Sequence, residues 1–404
     1  MSKAGRIVLD VFSELQRARR GDPVRERQVY FDAIEQARLA DQLGYGCWWT
    51  VEHHGATEFS YSSVPELVLT VLARETERIH LGHSGVLAPF RINHPIRVAE
   101  RAAFTDVSSN GRMELGLARS GGTEWDAFGV DPDRSRAELR EALTVIPRMW
   151  MQDSFSWKSD LLVIPERAVL PKPIQTPHPP LWQTCTSPES FKMAGELGVG
   201  VLATTLFTPL ASLSTLFAEY RQGLATCGTP VGAFKNEQIS VFTFMHCSET
   251  REQAIASRAA ESALWFQNAA PNVFQVPRSL WIDAIRGDLQ SSDPRATRSI
   301  AKTEITGKID LDDKNPVIRL LNRQLLGEEI DPIEAFEVLE PLESVVIGDI
   351  DACRKKIAGY RAIGVDRLMC LMSFGRIAQA DALSSLRVTG EELIPEFSGG
   401  AHVG

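Results

Sequence analysis

The sequence predicts one α/β domain over residues 1–404, a (β/α)8 TIM barrel with a long insertion at residues 268–341, between units seven and eight. Three observations lead there. Short apolar runs alternate with amphipathic helical stretches, as parallel strands require when each is joined to the next by a crossover helix. Eight such runs occur along the chain. Eight parallel strands can close on themselves and leave no edge, which accounts for the count better than two open sheets.

Residues 7–12 (IVLDVF) suit a buried first strand, and residues 25–43 follow with Val29, Ile34, Ala37 and Leu39 at helical spacing until Gly44 stops the helix. The second strand is expected at residues 46–51 (GCWWTV), followed by a helix over 65–74 that Pro65 opens. A strand over 80–87, a helix over 95–107, a strand over 113–118 and a long amphipathic helix over 134–151 complete four units. The second half supplies strands at 180–185, 199–204 and 239–247, each followed by a helix (188–197, 209–225 and 250–266). A helix over 349–362 then leads into the eighth strand at 366–372.

Two regions exceed the minimal unit. Residues 165–180 are rich in proline, which predicts a rigid, extended approach to the fifth strand. The insertion carries a polar run at residues 287–299 and is far longer than an ordinary loop of such a barrel. It is expected to act as an active-site cover, with surface decoration as the alternative.

Composition removes several classes of function. A chain with 44% hydrophobic and 24% charged residues is an ordinary globular one. The 43 Lys and Arg residues against 52 Asp and Glu leave a net charge of -9, the wrong sign for binding nucleic-acid phosphates. Six scattered cysteines without a C-x-x-C fit neither a disulfide framework nor a thiolate zinc site. With no signal-peptide pattern and no apolar run of membrane-spanning length, a cytoplasmic protein without membrane contact is expected.

In a barrel of this kind the chemistry sits where strands end. Glu52, His53 and His54 occupy that position after strand two, and a merely solvated loop is the plainer alternative. No metal site is expected, because adjacent strand residues point to opposite faces and no helical His-Glu-x-x-His occurs. After strand four, residues 116–122 (GLARSGG) set Arg119 among small residues, where a guanidinium and backbone N–H groups together could hold a phosphate. Strand five runs into residues 184–189 (TCTSPE), placing Thr186, Ser187 and Ser190 around a helix start opened by Pro188. Such starts bind anions, although these hydroxyls could equally serve as caps. A nicotinamide site of the usual kind is unsupported, since no G-x-G-x-x-G follows a strand and opens a helix.

The runs at 49–54 (WTVEHH), 93–100 (NHPIRVAE), 105–117 (TDVSSNGRMELGL), 128–131 (FGVD) and 171–182 (PKPIQTPHPPLW) together resemble the bacterial luciferase-like family of flavin-dependent monooxygenases. The resemblance implies a (β/α)8 barrel that uses reduced FMN (FMNH2) and O2, with a separate NAD(P)H:flavin reductase as partner. It assigns the active-site histidine to His53, the phosphate to Arg119, Thr186, Ser187 and Ser190, and a non-proline cis peptide against the flavin ring to Ser84 and Gly85. Thr186 stands where bacterial luciferase has a glutamate. Gly121 and Gly122 stand where a tyrosine is common in relatives, and Trp125 is expected to approach the substrate pocket together with Glu52 and His54.

The function so implied is a two-component FMNH2-dependent monooxygenase that inserts one oxygen atom into a small organic substrate through a flavin C4a-peroxide or hydroperoxide. His53 suits control of a proton in that chemistry, because imidazole titrates near neutrality. The same fold also serves the deazaflavin F420, so an F420-dependent oxidoreductase is the alternative. A non-catalytic flavin-binding subunit is a third, against which the presence of both His53 and Arg119 argues. A homo-oligomer, a dimer first, is expected.

Overall fold

The expected apolar runs are rich in the β-branched and aromatic residues that fit a pleated, buried surface. In the computed structural model, which describes residues 5–16, 23–119, 121–205, 207–287 and 307–398, they form the strands β1 (Val8–Ser13), β2 (Cys47–Thr50), β3 (His80–Leu87) and β4 (Met113–Ala118). The circuit continues through β5 (Leu181–Cys185), β6 (Gly200–Thr204), β7 (Ile239–Ser248) and β8 (Arg367–Leu371). Each strand pairs in parallel with the next, and β8 pairs with β1 through Val8↔Arg367 to Phe12↔Leu371, so the sheet closes. The eight-stranded TIM barrel read from the sequence is therefore the fold.

Helix starts follow the chemistry of their sequences. Pro65, Pro95, Pro132 and Pro188 each occupy a first helical turn, where a missing N–H costs nothing. His94 and Asp131 accept hydrogen bonds from the N–H groups of Ile96 and Asp133 as caps.

Strand alternation builds the interior in layers. At the base of the barrel, Asp10 accepts hydrogen bonds from Trp49 Nε1 (2.9 Å) and the Arg367 guanidinium (2.8 and 2.9 Å), while Glu114 accepts one from Trp182 Nε1 (2.7 Å). Two residues further along their strands, Phe12, Thr184, Leu202, Phe242 and Met369 point inward again and form the floor of a pocket at the C-terminal face.

Several elements differ from the sequence reading, among them the helix Gly122–Phe128, which was not expected. Residues 155–167 form an antiparallel hairpin, Phe155–Lys158 against Val163–Arg167, too short to show a period. A short strand, Val346–Asp349, pairs in parallel with the second half of β7. The helix Gln379–Glu392, whose small and polar residues blur any apolar stripe, packs outside the barrel against the helix Pro23–Leu43. The helix expected at 250–266 is two helices, Arg251–Ala256 and Ala259–Phe274. Ser257 Oγ donates to Ala254 O (2.7 Å) and accepts from Ala259 N (3.3 Å), and Arg258 turns left-handed at φ 59°, which redirects the second helix.

The proline-rich lead-in contains neither helix nor strand between Arg167 and Leu181, and Asp106 fixes it by accepting from the N–H groups of Ile174 (2.8 Å) and Gln175 (3.0 Å). The described part of the insertion is helical at Arg278–Arg286, Pro316–Leu325 and Pro332–Leu339. Its polar run from 288 to 299 lies outside the described residues. Among the described residues no helix is long and apolar enough to cross a membrane.

Candidate active site

The pocket at the strand ends spans about 780 Å³ of space between protein atoms, open solvent at its mouth included. Its walls are mostly apolar: Phe12, Val51, Leu87, Leu202, Phe242 and Met369 from the strands and their ends, with Phe266 and Phe274 from the helix Ala259–Phe274. Gly85 contributes a wall without a side chain. A Cβ there would come within 2.8 Å of the Leu117 carbonyl carbon, so only glycine fits between β3 and β4. The Ser84–Gly85 peptide is cis, as the resemblance implies.

Four ionisable residues, Glu14, Glu52, His53 and Glu124, line this apolar space. His53 leaves the end of β2 with its N–H bonded to Ser62 O (2.9 Å), and its ring meets the edges of Phe59 and Phe274 at centroid distances of 6.0 and 5.4 Å. Its Nδ1 lies 3.0 Å from Glu124 Oε1, and its Nε2 lies 3.7 Å from Glu14 Oε2. Burial alone would favour the neutral imidazole. The Glu124 hydrogen bond and the charges of Glu124, Glu14 and Glu52 outweigh it and raise the pKa to about 9. The imidazolium form of His53 is thereby favoured at neutral pH. Burial pushes Glu14 the other way, up to about 7, against the opposing pull of His53.

Glu52 is committed to structure. It accepts from Leu87 N (2.9 Å), from Asn93 Nδ2 (2.9 and 3.1 Å) and from His54 Nε2 (3.1 Å). Burial would raise its pKa, but these bonds and the nearby His83 hold it below the usual carboxylate value. His54 lies outside the pocket lining, its ring edge against Phe128 at 4.9 Å.

The residues expected at a phosphate gather beside the pocket at the ends of β4 and β5. Thr186 lines the pocket itself. Arg119 bonds Ser135 Oγ through Nε (3.2 Å) and Nη2 (2.9 Å) and lies 5.6 Å over the Trp125 ring. Trp125 is buried and donates from Nε1 to Arg119 O (3.2 Å), so it supports Arg119 and does not line the pocket; its neighbour Glu124 does. Ser190 Oγ accepts from the N–H groups of Thr186 (3.1 Å) and Ser187 (3.0 Å), which is the capping role, and so shapes the turn into the helix Pro188–Leu197.

Sequence reasoning missed four residues. Arg136, one residue beyond the partner of Arg119, is close enough to the end of β5 for its charge to act on Cys185. Glu14 follows β1 as the Glu-His-His run follows β2, so the rule that flagged His53 reaches it too. Glu124 and Phe274 carry no local signal, since tertiary folding alone brings them to His53. Gly122 is required there: at φ 55°, its added Cβ would meet the Phe274 carbonyl carbon at 2.6 Å.

A flavin mononucleotide needs flat apolar walls, a few polar contacts and a phosphate corner. This pocket has the walls, and Glu14 Oε2 and Thr184 Oγ1 have no hydrogen-bond partner among the described residues. Thr186, just before the start of the helix Pro188–Leu197, lines it as well. Among the described residues no group of three His, Cys, Asp or Glu could hold a metal ion.

The comparisons agree with this architecture. Similar proteins include the oxygenase component of a flavin-dependent trigonelline monooxygenase from Acinetobacter baylyi, 35% identical over 188 residues, which are 46% of this chain and 51% of that protein. The match thus spans about half the length of that relative. The oxygenating constituent of 3,6-diketocamphane monooxygenase from Pseudomonas putida, solved with FMN, superposes with a TM-score of 0.69 at 18% identity, covering 97% of this chain and 99% of that one. An F420-dependent secondary alcohol dehydrogenase superposes with a TM-score of 0.66 at 14% identity, with the same coverage. Both likenesses establish the fold and leave the cofactor open. The model of the luciferase-like monooxygenase family matches residues 11–367, from within β1 to the first residue of β8, and the chain belongs to that family.

Proposed function

We propose that this chain is the oxygenase component of a two-component monooxygenase: it takes FMNH2 from a separate NAD(P)H:flavin reductase and inserts one atom of O2 into a small organic substrate. Bound FMNH2 supplies the electrons that activate O2. The observation that carries the reading is the row Glu14, His53, Glu124, buried in a mostly apolar pocket at the strand ends. In it, the apolar walls exclude water, and the fixed charges set the protonation of whatever reacts there.

Arg119, Arg136, Thr186 and the N–H groups opening the helix Pro188–Leu197 would hold the phosphate, with Ser187 and Ser190 shaping that opening. Ser84 and Gly85 would leave room for the ring. His53 would present a charged N–H to the reactants, Glu52 would keep the end of β3 in place, and the insertion, through Phe274, would cover the site. We also propose a homodimer. Leu67 and Val71 on one helix and Phe104 and Val107 on its neighbour form an exposed apolar face, and a second copy of the chain would cover it.

The test is turnover under labelled O2 with a flavin reductase, FMN and a panel of small substrates that includes trigonelline and uncharged aromatic and aliphatic compounds. One labelled oxygen atom per product, dependent on FMNH2, is expected. Unlabelled redox product formed only with reduced F420 would favour the oxidoreductase reading. FMN binding without product from any substrate would favour a non-catalytic subunit.

A further inference from the structure

The two ends of the His53 ring are not equivalent. Nδ1 is at hydrogen-bond distance from Glu124, whereas the 3.7 Å between Nε2 and Glu14 Oε2 is an ion-pair distance, too long for a hydrogen bond. Glu14 is 4% exposed, lines the pocket, and its Oε2 has no hydrogen-bond partner among the described residues. A buried carboxylate oxygen with no donor is costly as an anion and is relieved by taking a proton. The Glu124 contact, by contrast, keeps the proton of His53 in place.

Resting on the monooxygenase reading, we propose that Glu14, and not His53, is the catalytic acid–base group of this pocket: the Glu14 carboxyl exchanges one proton with the bound reactants while His53 stays an imidazolium. The surroundings of Glu14 are consistent with this. From β2 it faces the His53 cation, from the helix Gly122–Phe128 the Glu124 carboxylate, and from the loop after β2 the Ser60 hydroxyl. The lining residues contributed by β7, β8 and the helix Ala259–Phe274 are the apolar Phe242, Met369, Phe266 and Phe274. Burial is the largest influence on Glu14 and lifts it to about 7; His53 and Ser60 oppose it, and Glu124 adds to it. A group half protonated at neutral pH can both give and take a proton.

The proton balance closes without another reagent. Substrate, O2 and FMNH2 become oxygenated substrate, water and FMN, so two electrons and two protons pass from the flavin to the oxygen atom that leaves as water. Glu14 accepts one of those protons and releases it again within the cycle.

Two experiments test the proposal. Difference infrared spectra of the flavin-free protein should show one protonated carboxyl lost with a midpoint near 7, absent in Glu14→Gln, while NMR of labelled histidine finds His53 protonated throughout. A wild-type His53 midpoint near its ordinary 6.5, with no carboxyl titrating near 7, overturns the proposal and leaves the monooxygenase reading standing. In FMNH2-dependent turnover, Glu14→Gln should lower kcat about tenfold or more, with KM little changed and the pH dependence near neutrality gone, and Glu14→Asp should restore part of it. A Glu14→Gln profile like that of the wild type also overturns the proposal. A wild type that yields no oxygenated product overturns the monooxygenase reading itself.

Discussion

Arg119 and Glu14 show how far single residues can be read. Arg119 stands out in the sequence because a cation among small residues after a strand is an unusual combination, and its guanidinium bonds Ser135, the residue before Arg136. Replacing Arg119 with alanine removes a charge-assisted contact of about 1.5 to 3 kcal/mol, so FMN binding should weaken roughly tenfold to a hundredfold. Riboflavin, which has no phosphate, should bind both proteins alike; equal loss of riboflavin would assign Arg119 to the ring or the fold. Glu14 was within reach of the same strand-end rule, but its importance lies in burial, which sequence does not display. Its raised pKa also has a thermodynamic sign. Between its ordinary 4.5 and about 7 the native state binds more protons than the unfolded chain, so stability is present at the acid end and falls as pH rises through about 7. His53 behaves likewise: its contribution is full below 6.5 and lost as pH rises through about 9. Denaturant titrations should therefore show the wild type losing about 3 kcal/mol relative to Glu14→Gln between acid and alkaline pH. A difference independent of pH would contradict the burial of a protonated Glu14.

The helix Ala259–Phe274 is the element that joins the barrel to the insertion. The sequence placed a helix here but ended it at residue 266, since neither Ser257 nor Arg258 has the character of a strong breaker. The left-handed Arg258 carries the second helix toward the barrel mouth, so that Phe266 and Phe274 reach the pocket and Phe274 meets His53. Truncating Phe274 to alanine should leave FMN binding nearly intact and raise the fraction of reduced flavin lost as hydrogen peroxide, because water then reaches the site. Peroxide assays with limiting FMNH2 measure that fraction, and unchanged coupling would make Phe274 a packing residue only. The hairpin at 155–167 is the opposite case. Its strands are four and five residues long, and Pro165 lies within the second, so nothing in its pattern distinguishes it from loop.

Over the whole molecule the barrel was legible because its signal is redundant: eight apolar runs, with proline and glycine marking helix ends, point to one closure. The pocket was half legible. Glu52, His53, Ser84, Gly85 and Thr186 line it, whereas His54 and Trp125 support it from outside, and the aromatic wall depends on contacts between distant segments. The proposed dimer would use the two outer helices. Leu67 and Phe104 are 60% and 52% exposed, and changing either to aspartate should turn the expected dimer into a monomer on sedimentation, without unfolding it. We propose that this barrel is built for reduced FMN, and anaerobic equilibrium binding of FMNH2 and reduced F420 to the same protein tests that preference. FMNH2 should bind at about one per chain and at least about tenfold more tightly than reduced F420, with the advantage lost in Arg119→Ala. Tighter binding of reduced F420, or FMNH2 binding indifferent to Arg119, would contradict it.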